Sequence, residues 1–134
     1  MHEFSLAQAV VETVLRVARE HGAVSIEEVN LEVGEVALVN MDQLQWHMRM
    51  LAQGTIAHDA LFKWVVVRAT ICCDDCGYEG PIGHEAIGDS SHSEVPIFQC
   101  PQCGSPHTRI LKGKELRIVD IHAKFSGQDG GDHA

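Results

Sequence analysis

No apolar run in these 134 residues comes near the roughly 20 residues that a membrane helix needs. The opening Met-His-Glu-Phe-Ser has no basic segment leading into an apolar stretch and a small-residue cleavage site. The expectation is therefore a cytoplasmic chain without a secretory signal or membrane association. Basic residues are few: 10 Lys and Arg against 19 Asp and Glu give a formal charge of −9. Coulomb repulsion then disfavours nucleic acid and other polyanions as partners. Arg109, Lys112, Lys114, Arg117 and Lys124 do gather late in the chain, but no aromatic residues interleave with them as stacking on a single strand requires. A Ser/His/Asp order, a nucleophile elbow and a Gly-rich phosphate loop are all missing. The chain is expected not to be an enzyme, and any nucleotide hydrolysis belongs to a partner.

What is there reads as one small domain with an insert. Ser5 stands three residues before Gln8 in a capping box, and Leu6, Val10, Val14 and Val17 recur at helical spacing, predicting a helix over 5–21 that stops at Gly22. Val29, Leu31 and Val33 alternate with Asn30, Glu32 and Gly34, the period of a strand with one buried face, within 24–36. Asn40 with Gln43 caps a second helix over about 41–53, whose stripe is Leu44, Met48 and Leu51. The β-branched stretch from Leu61 to Ile71 reads as a central strand. Two further strands, Thr108 to Leu111 and Glu115 to Ala123, are joined around Gly113. The polar segment 126–134 reads as a disordered tail. The predicted fold is α+β: two helices on a small three-stranded sheet, with an inserted zinc-ribbon-like domain. The domain bounds are 1–71 plus 107–125 for a discontinuous α/β domain and 72–106 for the insert.

The insert is bounded by two segments of one form, Cys73-Asp-Asp-Cys76-Gly77 and Cys100-Pro-Gln-Cys103-Gly104. In such a knuckle backbone amides point at sulfur and the glycine takes a conformation that a Cβ hinders. Two facing knuckles make a tetrahedral S₄ site for one structural Zn(II), and four thiolates leave no open position for a Lewis acid or an activated water. Cys72 is the spare, expected to point inward as a small buried hydrophobe.

The amino terminus is the second constellation. The α-amine of Met1, the backbone nitrogen of His2 and its imidazole can close fused chelate rings around one ion, with an equatorial position left for Glu3 or another donor. A planar, nitrogen-rich set of this kind suits Ni(II) or Cu(II) better than Zn(II). Met-His-Glu before an amphipathic helix, Glu-Val-Gly-Glu at Glu32 to Glu35 and the two late Cys-x2-Cys pairs together resemble the hydrogenase nickel-incorporation proteins, the HypA/HybF family, over residues 1–123. The resemblance implies a nickel metallochaperone. It would take Ni(II) as cargo, dock with a hydrogenase-maturation GTPase, and deliver the ion to the large-subunit precursor of a [NiFe]-hydrogenase or to urease and its accessory proteins. Carried over, His2 and Glu3 are the nickel site and Cys73, Cys76, Cys100 and Cys103 the zinc site.

Among the other histidines, His92 between Ser91 and Ser93 is a candidate further nickel donor, with His84 on the same loop. His21 is expected to serve a helix C-terminus and His47 to pack or to face solvent. His58, His107 and His122 have no partner nameable from sequence. Glu32 and Glu35 fall on opposite faces of a strand, against a shared acid–base site. Two rival readings remain. A zinc-ribbon adaptor for protein or RNA predicts salt-sensitive RNA binding that tracks the basic cluster, and a zinc hydrolase requires the open position that four cysteines deny.

Overall fold

A computed structural model describes residues 2–83, 86–87 and 97–126, with the backbone alone at 2, 86 and 87. The chain divides into two compact units. The described parts of Met1–Leu31, Val39–Trp64 and Arg117–Ala134 form the first, and those of Glu32–Leu38 and Val65–Leu116 the second.

In the first unit helix α1 spans His2–Glu20 and helix α2 spans Met41–Ala52. The helical period puts Ala7, Val10, Val11, Val14, Leu15 and Ala18 on the buried stripe of α1, and Leu44, Met48 and Ala52 on that of α2. The two helices pack on one another. Asn40 caps α2 as its sequence predicts, its side-chain oxygen accepting the Gln43 amide at 3.0 Å. Helix α1, by contrast, begins ahead of the Ser5 cap expected for it. The extra turn is held by contacts that no local pattern encodes. The Glu3 carboxylate accepts the Asn40 backbone amide at 3.0 Å, and the Phe4 ring meets His47 edge-on with centroids 5.4 Å apart. At the other end His21 Nδ1 sits 3.0 Å from the Val17 carbonyl, the structural role expected of it.

Strands β1 (Ala23–Gly34), β2 (Leu61–Val67) and β8 (Leu116–Phe125) form a three-stranded sheet in the order β2-β1-β8. Ile26, Val29, Leu31 and Val33 of β1 are buried. The stretch Leu61 to Ile71 is therefore not a central strand. β2 lies at the edge of its sheet, Val65 and Val66 are exposed, and the chain leaves the ladder at Arg68 and Ala69 before resuming as β3 (Thr70–Cys73). The break has a specific cause: the Ala69 amide donates to the Glu35 carboxylate at 2.7 Å. Glu35 thus serves as a tether, with Arg68 Nε 3.8 Å from the same carboxylate oxygen.

In the second unit β3 pairs antiparallel with β4 (Glu79–Pro81) and with β7 (Thr108–Lys112), in the order β4-β3-β7. A short pair, β5 (Ala86–Ile87) with β6 (Ile97–Phe98), lies between them in the chain. The apolar cluster is small: Val36, Ala69, Ile71 and Phe98 are buried, with Tyr78, Ile82 and Ile110 partly so. Gly113, at φ 98°, approaches Ala69 so closely that an added Cβ would lie 2.5 Å from the Ala69 Cα. The turn predicted around it joins β7 to β8, which enter different sheets. Of the predicted disordered tail, residues 127–134 lie outside the described residues. Among the described residues no helix is long and apolar enough to cross a membrane. Two helices, small sheets and a four-cysteine cluster make the protein α+β, the class read from its sequence.

Candidate metal centres

Alternation along β3 buries Ile71 and Cys73 and leaves Cys72 half-buried. The spare cysteine accordingly does not point into the core: its sulfur lies 3.6 Å from an Arg109 guanidinium nitrogen on the neighbouring strand. Immediately after β3 the first knuckle turns, and the Gly77 amide bonds back to the Cys73 carbonyl at 3.0 Å. The second knuckle repeats the turn, with the Gly104 amide on the Cys100 carbonyl at 2.9 Å. Gly77 and Gly104 both sit at φ 80°, in the left-handed region that the Cys-x2-Cys-Gly form requires.

The two turns bring four sulfurs together. Cys73, Cys76, Cys100 and Cys103 have their Sγ atoms within 4.8 Å of one another, and the Cys73–Cys103 and Cys76–Cys100 separations are both 3.7 Å. Sulfurs tetrahedrally disposed about zinc, with Zn–S near 2.3 Å, stand about 3.8 Å apart. The cluster therefore has the donor chemistry and the spacing of a zinc site. Backbone amides aim at the sulfurs as well, Asp75 at Cys73 from 3.4 Å and Gln102 and Cys103 at Cys100 from 3.3 and 3.4 Å.

Electrostatics in the cluster follow from crowding four acids into one small volume. Burial opposes ionisation at Cys100, but the Cys103 and Gln102 amides and the thiols of Cys76 and Cys103 outweigh it and bring its pKa down to about 7. At Cys103 the Ser105 amide favours the thiolate, yet burial and the hydrogen bonds shared with Cys76, Cys73 and Cys100 push it up to about 12. Cys76 is raised too, with the Tyr78 amide outweighed by burial and by its bonds with Cys100 and Cys73. A cation among the sulfurs would favour the thiolate form of all four.

Around the sulfurs the structure holds polar links that the sequence reading did not find. The Asp75 carboxylate accepts the Ser105 hydroxyl at 2.5 Å and lies 3.0 Å from His107 Nδ1. The bond from Ser105, and after it that from His107, hold the Asp75 carboxyl below its ordinary range. Asp74 pairs with Arg109 Nε at 3.0 Å, which raises the Arg109 pKa. Contacts of this kind cross thirty or more positions of chain, beyond the reach of spacing rules; the one local hint is a polar residue at the second x of each knuckle. The basic cluster is also partly neutralised, Arg109 by Asp74 and Lys124 by Glu27 at 3.2 Å. His58 and His122 lie beside Asp59 and Asp120, each at 3.2 Å.

At the amino terminus the backbone of His2 is the first residue of α1. Glu3 follows in the first turn with its carboxylate on the Asn40 amide. Met1, the His2 side chain, His84 and His92 lie outside the described residues. His47 is half-buried between Phe4 and Trp46, packed as expected.

A small α+β fold in which four cysteine sulfurs lie within 4.8 Å of one another defines a protein with the donor set of a metal site. The family described as hydrogenase/urease nickel incorporation, metallochaperone, hypA matches residues 1–123. The hydrogenase maturation factor HypA of Methanothermobacter thermautotrophicus is 37% identical over 121 residues, covering 90% of this chain and 95% of its own length. That of Methanopyrus kandleri is 34% identical, covering 96% of both chains. The solution structure of the nickel metallochaperone HypA from Helicobacter pylori shares the fold at a TM-score of 0.64 and 18% identity, over 92% of this chain and 98% of that one. The chain belongs to the HypA family, nickel-incorporation metallochaperones of hydrogenase maturation.

Proposed function

We propose that the protein binds Ni(II) as cargo through the Met1 amine, the backbone and imidazole nitrogens of His2 and the Glu3 carboxylate, while Cys73, Cys76, Cys100 and Cys103 hold one structural Zn(II). The observation that carries the nickel reading is the position of His2 at the first residue of α1. Amides of a helix's first turn have no intrahelical acceptor, so the His2 nitrogen can lose its proton to a metal without breaking the helix. Glu3 ties this end of α1 to the α2 cap.

In this account the protein catalyses no reaction. It works in the cytoplasm, docks with a maturation GTPase, and hands nickel to the large-subunit precursor of a [NiFe]-hydrogenase or to the urease system. Nickel leaves when protons compete for the amide and imidazole nitrogens, or when docking draws Met1 and His2 away from the ion. The test is a Ni(II) titration of tag-free protein, followed by the absorption of a planar nitrogen-rich complex. It is run beside His2→Ala and a variant with two residues added before Met1. Both variants are expected to lose the complex; parent affinity in both removes the N-terminal site.

A further inference from the structure

Two of the sulfur–sulfur edges that join one knuckle to the other are 3.7 Å long, and each of these is followed by a polar residue from inside a knuckle. Asp75 stands between Cys73 and Cys76. Its amide donates to Cys73 Sγ and its carboxylate takes the hydroxyl of Ser105, which follows Cys103 closely in the chain. That path runs alongside the Cys73–Cys103 edge. Gln102 stands between Cys100 and Cys103. Its amide donates to Cys100 Sγ at 3.3 Å and its side-chain nitrogen to Cys76 Sγ at 3.5 Å, alongside the Cys76–Cys100 edge.

Burial gives the pattern its meaning. Cys73 and Cys100 are buried and Cys76 and Cys103 exposed, so each edge joins a buried ligand of one knuckle to an exposed ligand of the other. Exposed sulfurs are where a chelator or a competing thiol begins to remove an ion. A link that holds the exposed sulfur against its buried partner on the opposite knuckle slows that first step. The donors also spread the net negative charge that four thiolates leave on a dication.

We propose that Asp75 and Gln102 are positioning residues of the metal centre, holding the two knuckles at zinc-binding separation and setting the rate at which the ion is lost. The proposal rests on the assignment of zinc to the four cysteines. Asp74 supplies the internal control: it shares a knuckle with Asp75, but its carboxylate goes to Arg109 rather than along a sulfur edge.

The experiment uses the full-length zinc-loaded chain and follows transfer of zinc to a chromogenic chelator at neutral pH. Asp75→Ala and Gln102→Ala are each expected to speed release about tenfold or more, in line with the usual effect of removing a partner of a metal ligand. Asp75→Asn keeps an oxygen for Ser105 and should restore slow release, and Asp74→Asn should leave the rate unchanged. Gln102→Glu, which turns a donor toward Cys76 into an acceptor, should accelerate release without altering side-chain size. In the cobalt-substituted protein the thiolate charge-transfer bands should shift in the Asp75→Ala and Gln102→Ala variants, a readout that a general loss of stability does not produce. Parent release rates and parent cobalt spectra in both alanine variants overturn the proposal. Undiminished zinc in Cys73→Ser and Cys103→Ser would instead overturn the zinc assignment beneath it.

Discussion

Among the described residues the first unit buries mostly hydrocarbon, whereas the second buries sulfur beside a smaller apolar cluster. Val14, Ile26, Leu31, Leu44 and Met48 are all nearly or fully buried in the first unit, and each side chain of this kind contributes about 1.5–3 kcal/mol on burial. In the second, the buried apolar cluster among the described residues is four residues of which one is alanine, beside two buried cysteines. Zinc affinities of small metal domains correspond to about 10–16 kcal/mol, as large as the whole stability of a typical domain. The difference teaches that one chain can draw on two sources of stability; under the proposed function, nickel would be handled in the unit whose stability does not depend on zinc.

Removing zinc is the strongest way to break the comparison. A chelator, or Cys73→Ser, should abolish amide protection across residues 65–116 while protection in α1 and α2 persists, as read by hydrogen exchange. Simultaneous loss in both units would show that the core of the first does not suffice alone. Next in size is Met48→Ala in the other direction, expected to cost about 2–5 kcal/mol in chemical denaturation of the first unit with no change in zinc content. Asn40→Ala removes the α2 cap and should cost about 1 kcal/mol by the same measurement.

The smallest effect expected is electrostatic. Hydrogen bonds from Asn30 and Lys63 lower the Glu28 pKa. A carboxyl depressed in the folded state contributes stability above its unfolded pKa and loses it as pH falls through the folded one. Thermal melting of the parent should thus decline more steeply on acidification below about pH 4 than that of Glu28→Gln, and the two should show the same slope near neutrality. Equal slopes throughout would remove Glu28 from the account.

Much of this was legible in the sequence because it is local. The Asn40 cap, the stripe of α2 and the alternation of Val29, Leu31 and Val33 depend on a few neighbouring residues, and both Cys-x2-Cys-Gly turns carry their own geometry. What escaped depends on distant partners. Leu61 to Ile71 has the composition of one strand, and the chain leaves it at Ala69, where Glu35, far away in the chain, takes the amide. Helix α1 starts ahead of Ser5, although Ser5 and Gln8 form a good cap locally, because Glu3 and Phe4 find distant partners in Asn40 and His47. Cys72 looked like the residue to bury, but β3 pairs in a register that sets it opposite Arg109.

The most direct test of the central claim, two metals at two separate sites, is native mass spectrometry of the parent and of His2→Ala after exposure to Zn(II) and Ni(II) and dialysis. The account predicts one zinc and one nickel on the parent, and one zinc with no nickel on His2→Ala. Nickel retained by His2→Ala, or zinc lost from it, would contradict the account.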